Sequence, residues 1–253
     1  MKKLAEYIIE NEINSPSFFS HVEKIDRGVL FYDEKNPLSF SSNHGVFFGE
    51  KGDVPYFAAK VRDFYLSKNL KPRIDLVFSE NYDQELFEIF KKYGFLHREK
   101  RENIICMVKD RPAKKLLLRP IEISRQEIWD DRLTENIIGP GYDAYMPRVL
   151  QKSILNKNCN FFVASLFGEP VSMCMITEGK NVSCLSSVMT GMGFRGCSFA
   201  SKMLSFVAEE YKNISSKPLY LLTDNNSAVP LYASAGFSKI DFPNIYYSLI
   251  YKY

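Results

Sequence analysis

The stretch V-M-T-G-M-G-F-R-G-C-S-F-A, from Val188 to Ala200, constrains this chain more than any other part of it. A strand-like apolar run ends at Thr190. Glycines at 191, 193 and 196 and the single Arg195 follow, and then an amphipathic helix pattern begins. The amides of a helix's first turn have no intrahelical acceptor, and the helix dipole favours negative charge there. A strand, a glycine turn with an arginine and a helix start therefore make a cradle for a phosphate-like anion. Gly196 lets backbone and ligand approach closely, and Arg195 adds positive charge. The pattern is neither G-x-x-x-x-G-K-[ST] nor G-x-G-x-x-G, so it is not one of the common nucleotide loops. The same residues also fit an ordinary glycine-rich turn between a strand and a helix.

The surrounding elements read as an ordered series. Leu116 to Leu118 is a short apolar run, hence a strand. Ser124 to Asn136 opens on an N-cap type and spaces Ile128, Trp129 and Leu133 as a helix does. Asp143 to Asn156 is a second helical stretch. Phe161 to Phe167 and Pro170 to Thr177 are strands joined by the turn Gly168-Glu169, and Asn181 to Thr190 is a third. Phe199 to Tyr211 is an amphipathic helix and Leu219 to Leu222 a strand. Ala228 to Ala235 is a short helix stopped by Gly236, and strands at Phe237 to Asp241 and Tyr246 to Tyr251 close the series. The expected fold is a mixed α/β (α+β) domain over residues 114–253, a mixed sheet flanked by helices.

Within that series lies T-D-N-N-S-A-V-P-L-Y-A-S-A-G-F, Thr223 to Phe237. Alone it reads as an asparagine turn followed by a core tyrosine. Paired with the glycine stretch at this spacing, it resembles the GNAT superfamily of acyl-CoA-dependent N-acyltransferases. Val188, Thr190, Arg195, Gly196 and Ala200 meet the family pattern V-x-T-x-P-x-x-R-G-x-G-x-A. Asn225, Ala228, Leu231, Tyr232, Gly236 and Phe237 meet N-x-x-A-x-x-L-Y-x-x-x-G-F. The departures are Met192 for the usual proline, Gly193 for Gln or Arg, and Ser198 for a second glycine or alanine.

The resemblance implies acetyl-CoA as co-substrate and a primary amine as acceptor. It places the pantetheine arm along Val188, Met189 and Thr190, and the pyrophosphate on the amides of Arg195, Gly196, Cys197, Ser198, Phe199 and Ala200. Asn225 positions the cofactor or a water, Tyr232 protonates the leaving thiolate, and a backbone amide near Val188 or Met189 holds the oxyanion. No carboxylate sits on the strand from Asn181 to Val188; Glu178 and Asp224 are the nearest candidates for the base, both read more simply as solvated turn residues, with a water chain to backbone carbonyls as the alternative. Two other readings stay open. One is a non-catalytic CoA-binding or regulatory protein, and the other is a tandem GNAT transferase using aminoacyl-tRNA.

The first half, residues 1–110, carries a weak copy of the second. Lys71-Pro72 leads a strand, Ile74 to Phe78, then a helix, Leu86 to Lys92, then Tyr93-Gly94-Phe95 and a last strand to Val108. I-F-K-K-Y-G-F aligns with L-Y-A-S-A-G-F, so Phe90 stands where Tyr232 does, and Pro55 to Lys68 matches the helix from Phe199. No R-G cradle precedes that helix. The expectation is a degenerate, partial GNAT-like domain, joined to the second half through the charged linker Lys109 to Ala113.

Charge adds little to this reading. Lys and Arg number 33 against 30 Asp and Glu, too balanced to suggest a nucleic-acid partner. Five cysteines without C-x-x-C spacing fit free thiols in a reducing compartment, and no metal site is expected. No run approaches the ~18 apolar residues of a membrane span. The expected location is the cytoplasm.

Overall fold

The computed structural model describes residues 2–77, 84–101, 103–114, 121–139, 145–243 and 246–252. In chain order the elements are α1 (Lys2–Asn14), β1 (His21–Ile25), β2 (Gly28–Tyr32), β3 (His44–Phe47), α2 (Val54–Ser67), β4 (Arg73–Val77), α3 (Gln84–Lys92), β5 (Phe95–Arg101), β6 (Ile105–Lys109) and β7 (Glu122–Gln126). They continue with α4 (Met146–Ile154), β8 (Cys159–Leu166), β9 (Glu169–Glu178), β10 (Ser183–Thr190), α5 (Phe199–Ile214), β11 (Leu219–Thr223), α6 (Val229–Ser234), β12 (Phe237–Lys239) and β13 (Tyr246–Tyr251). Two compact units result. One comprises Met1–Asn11 and Ile105–Phe242, the other Glu12–Ile104 and Pro243–Tyr253. They are called here the C-terminal and N-terminal unit.

Each unit is built on one mixed sheet. In the C-terminal unit the order is β12-β6-β11-β10-β9-β8-β7, and in the N-terminal unit β1-β2-β3-β4-β13-β5. In β9 every residue from Pro170 to Thr177 is buried, the unbroken apolar pattern of a strand covered on both faces. α5 lays Met203, Leu204, Val207 and Tyr211 into that core together with Phe162, Cys174, Ile176 and Leu185. The spacing follows the 3.6-residue turn, and full burial of an aliphatic side chain contributes about 1.5–3 kcal/mol. α2 does the same in the N-terminal unit with Val54, Phe57, Ala58, Val61 and Tyr65, entering the helix through Pro55 in its first turn.

The two sheets repeat one plan. β10 and β11 pair in parallel at Ser183–Leu219 and Cys184–Tyr220. β3 and β4 pair in parallel at Gly45–Ile74 and Val46–Asp75. β11 and β4, expected as equivalents, thus hold the same sheet position. Each is followed by a short helix that ends on a left-handed glycine, Gly236 with φ 92° and Gly94 with φ 83°. A residue with a Cβ is strained at such an angle, so both helices stop where only glycine fits without cost.

The central partner strands come from across the linker. β6, which follows β5 in the chain, lies antiparallel between β11 and β12 of the C-terminal unit. β13, which follows β12, lies antiparallel between β4 and β5 of the N-terminal unit. The boundary expected at residues 110–114 therefore separates the halves in sequence but not in sheet membership. Both strands are apolar and hydrogen-bond on both edges, so either sheet offers an equivalent slot. Local pattern does not choose between them.

Three expectations change on the C-terminal side. Ser124 is not a helix N-cap: Glu122 to Gln126 is a strand paired to β8, with Ser124 opposite Val163. Helical spacing in this segment lost to an available sheet edge, and Ile128, expected on the buried face, is 78 % exposed. Helix begins only after Asp131 and ends as a π-turn over Thr134–Ile138, with Leu133 buried as expected. The β8–β9 hairpin turns on Phe167 and Gly168, both at positive φ, one residue earlier than expected. The strand expected at Leu116 to Leu118 lies outside the described residues. All five cysteines are free, and Cys197 alone among them is not fully buried.

Candidate active site

The site begins where two parallel strands part. β10 pairs with β11 only through Cys184, although both run on, β10 to Thr190 and β11 to Thr223. On its other edge β10 stays paired with β9, with a register shift between Ser186 and Met189. Ser187 sits in that bulge with φ 51°. An extra residue in one strand bends it and increases its twist, and here it turns β10 away from β11.

The direction of the backbone groups beyond the bulge follows from three hydrogen bonds. The Gly191 amide donates to the Val171 carbonyl at 3.1 Å. The Met189 carbonyl accepts from the Ser172 hydroxyl at 2.8 Å. Residues 189 and 191 thus address β9, and alternation along a strand turns the amides and carbonyls of Val188 and Thr190 to the opposite edge. The third bond agrees, because Arg195 Nε reaches the Thr190 carbonyl at 3.2 Å from outside the β9 pairing. Val188 therefore presents an amide and a carbonyl to the gap. Ser172, fully buried, also shares a 2.8 Å hydrogen bond with the Thr190 hydroxyl. It fixes the strand end from behind, a role no local sequence signal announced.

Past Thr190 the chain turns tightly. Gly191 packs so close to the π-turn that a Cβ there would lie 2.1 Å from the Asn136 carbonyl oxygen. Its requirement is packing. Gly193 and Gly196 face open space, with nothing within 4 Å of a built Cβ, and Gly196 adopts φ 78°. Ser198 is the N-cap of α5 at φ 64°, and its side chain makes no capping bond. The first backbone bond into the helix is Lys202 amide to Ser198 carbonyl, 3.1 Å. Among the described bonds, the amides of Phe199, Ala200 and Ser201 thus have no backbone acceptor. Arg195, Gly196 and Ser198 are exposed, Cys197 and Ala200 half-buried, and Phe199 is anchored in the core against Phe194.

In the N-terminal unit a 3-10 turn, Lys51–Asp53, leads into α2, whose own N-cap, Asp53, makes no side-chain capping bond. Asp53 accepts from the Glu50 amide at 2.9 Å in a reciprocal capping box, and Arg27 stands 3.4 Å from Asp53. The carboxylates of Glu50 and Asp53 put negative charge just ahead of α2, where α5 has Arg195 and Gly196. Phe90, aligned with Tyr232, is fully buried edge-on to Phe47.

Tyr232 projects from α6, half-buried against the C-terminal core. Its hydroxyl has no hydrogen-bond partner among the described residues. Burial holds its pKa above the ordinary tyrosine value, with Cys174 nearby adding to the effect. Cys174 lies on β9 between Met173 and Met175, which face Met189 and Ser186 across the bulge. Cys174 itself is a neutral thiol, since burial pushes its pKa far up.

The remaining candidates separate. The Asn225 side chain accepts from the Ser227 amide at 3.0 Å and from its hydroxyl at 2.6 Å, so it caps its own turn. Asp224 is exposed beside it. Glu178 accepts from Asn160 Nδ2 at 3.1 Å and stands 3.9 Å from Lys217 Nζ. It is opposite Ser183, at the paired end of β10. Five residues separate Ser183 from Val188, roughly 16 Å at the strand rise, so Glu178 is not brought to the gap.

Comparison with known proteins bears on the fold. The family model described as "Acetyltransferase (GNAT) family" matches residues 125–237. No curated protein matches the chain in sequence. A solved structure described as a GCN5-related N-acetyltransferase from Kribbella flavida superposes with a TM-score of 0.70, covering 99 % of this chain and 96 % of its own at 11 % identity. A GNAT-family protein from Novosphingobium aromaticivorans gives 0.60, with 97 % of each chain covered at 15 % identity. A tandem GNAT protein from the clavulanic acid biosynthesis pathway gives 0.53, covering 82 % of this chain and 75 % of its own at 12 % identity. These likenesses concern the fold, and they span both units. No helix among the described residues is long and apolar enough to cross a membrane. The match to the GNAT acetyltransferase family model thus covers residues 125–237, and the solved structures share the fold.

Proposed function

We propose that the C-terminal unit transfers an acetyl or other short acyl group from acyl-CoA to a primary amine, by direct attack within a ternary complex. The observation that carries this reading is the edge of β10 at Val188, parted from β11, followed by a glycine turn and the uncapped start of α5. A pantetheine arm is a chain of amides and suits an unpaired strand edge. A pyrophosphate suits unpaired helix amides with Arg195 beside them. Gly193 and Gly196 leave room for it. The N-terminal unit, with carboxylates ahead of its helix start and Phe90 for Tyr232, supplies neither group.

In this reading the neutral amine attacks the thioester carbonyl. The Val188 amide, which faces the gap, receives the oxyanion in preference to the Met189 amide, which alternation points at β9. The carbon–sulfur bond breaks as the tetrahedral intermediate collapses, and Tyr232 gives its proton to the departing thiolate. A hydroxyl held neutral by burial, with no partner to satisfy, is free to make that transfer. Asn225 serves the turn that leads into α6, with its Nδ2 left for cofactor or water. Asp224 or a water chain to backbone carbonyls deprotonates the amine.

Calorimetric titration with CoA and acetyl-CoA, followed by thiol-release assays over a panel of amines, tests the proposal. Binding with amine-dependent thiol release is expected. Binding without release from any amine supports the non-catalytic reading instead, and no binding at millimolar CoA removes both. The aminoacyl-tRNA alternative, which the balanced charge does not favour, predicts transfer from charged tRNA with CoA inert.

A further inference from the structure

β10 changes register once along its pairing with β9. Ser186 stands opposite Met175 and Met189 opposite Met173, so Ser187 and Val188 share the place across from Cys174. One extra residue has entered β10, and Ser187 takes it up at φ 51°. Backbone groups alternate between the two edges of a strand, so this insertion decides which amide faces the gap. Without it Val188 would stand opposite Met173, in the place where Met189 now addresses β9, and its amide would leave the gap. The bulged register has few anchors beyond Ser187. Met189 and Thr190 pair with β9, and the Gly191 amide reaches the Val171 carbonyl. Ser172 adds two more. Its hydroxyl donates to the Met189 carbonyl at 2.8 Å and shares a second 2.8 Å hydrogen bond with the Thr190 hydroxyl. The bond to Thr190 exists only while that residue stands opposite Ser172. A slip by one residue puts Met189 there and leaves a fully buried hydroxyl one partner short. A buried polar group that only one register satisfies specifies that register.

We infer that Ser172 is a positioning residue for acyl transfer: from β9 it locks the bulged register that turns the Val188 amide toward the thioester carbonyl. Being fully buried behind β10, it acts through Met189 and Thr190 and not on substrate. The inference rests on the reading of the gap as the acyl-transfer site. Under that reading the oxyanion donor must be aimed before charge develops on the oxygen, and a displacement of about 1 Å can cost about 10²-fold in rate. Ser172 supplies that aim from one strand away. Its loss lowers turnover and spares the start of α5, which receives the pyrophosphate through other residues.

The test is Ser172→Ala in the whole chain, with a circular dichroism melt as the check on folding. If that variant does not melt cooperatively, Ser172→Cys, close to serine in size but a weak donor, takes its place. In acetyl-CoA thiol-release kinetics kcat should fall at least about tenfold, with the calorimetric CoA dissociation constant within about threefold of wild type. Amide hydrogen exchange of the free chain gives a readout that does not depend on activity. Wild-type Val188 should exchange faster than Gly191, whose amide is bonded to Val171, and the variant should shrink that contrast at least about tenfold. A smaller fall in kcat, a matching loss of CoA affinity, or an unchanged exchange contrast each overturns the inference. A wild-type chain that releases no thiol with any amine fails the functional reading itself and takes the inference with it. An active wild type beside an equally active, folded Ser172→Ala overturns the inference alone.

Discussion

Removing one oxygen from Tyr232 separates catalysis from packing. In Tyr232→Phe the ring keeps its place against the C-terminal core, and the lost hydroxyl has no hydrogen-bond partner among the described residues, so no acceptor is orphaned. The stability change should stay within about 0.5 kcal/mol. Loss of a general acid costs at least about 10²-fold in kcat, or about 2.7 kcal/mol of transition-state stabilisation at 1.36 kcal/mol per decade. Affinity for CoA should not change, because the cradle lies on other residues. The two free energies differ by a factor of five, so thermal melts and steady-state thiol release distinguish the roles without ambiguity. The pH profile adds a second readout. The acid works protonated, and burial raises its pKa above the ordinary 10.0, so activity due to it is lost only as pH rises through that raised value. The alkaline limb should vanish in Tyr232→Phe. A fully active variant, or one with the wild-type limb intact, refutes the assignment and points to water as the proton source.

Gly196→Ala meets no steric obstacle but places a Cβ at φ 78°, a strain of about 1–2 kcal/mol. If the turn relaxes to relieve it, calorimetry should record CoA affinity about tenfold weaker. Phe90→Tyr buries a hydroxyl in an aromatic cluster and should destabilise by about 1–3 kcal/mol in denaturant melts, and in a Tyr232→Phe background it should restore no activity. His44 is buried, and desolvation holds its pKa below the ordinary 6.5 despite Asp75 at 3.7 Å. The unfolded chain therefore binds a proton below about pH 6.5 that the folded chain refuses, so stability is full above that pH and falls as pH drops below it. His44→Gln should flatten this slope in urea melts between pH 7 and 5.5. A fragment of residues 114–253 lacks β6 and should fail to fold by circular dichroism, whereas residues 105–253 retain the strand that joins β11 to β12.

The glycine turn and the tyrosine helix were legible because their chemistry is local. A left-handed Gly196, a helix start at Phe199 and a stop at Gly236 follow from residue types within a few positions of each other. The bulge at Ser187 was not legible, since a serine in a strand carries no mark of positive φ. Nor was Ser172, whose two bonds to Met189 and Thr190 cross between strands. The segment from Ser124 misled because its apolar spacing suits a helix while its backbone found an edge of β8. β1 to β3 left little trace either. β1 is exposed along most of its length, and β3 is four residues long, too short for alternation to declare itself.

The strand exchange gives the linker a different meaning from that of a domain boundary. Were β6 to stay with β5, and β13 with β12, each unit would be a contiguous repeat, and residues 109–113 a tether of little consequence. Instead Lys109 ends a strand whose neighbours on both edges, β11 and β12, arise more than 100 residues later. β13, the last strand, completes a sheet begun at His21. Neither sheet can close until both halves are made, which raises the sequence separation of the contacts that hold each core and slows folding relative to two contiguous domains. The consequence reaches the active site. β11, whose parting from β10 opens the gap, is held on its other edge by β6, with Thr223 opposite Ile105 and Leu222 opposite Cys106. A strand from the first half's stretch of sequence thereby fixes one wall of the proposed acyl-transfer site. That physical tie is a reason for the first half to persist without the cradle and the tyrosine of the second.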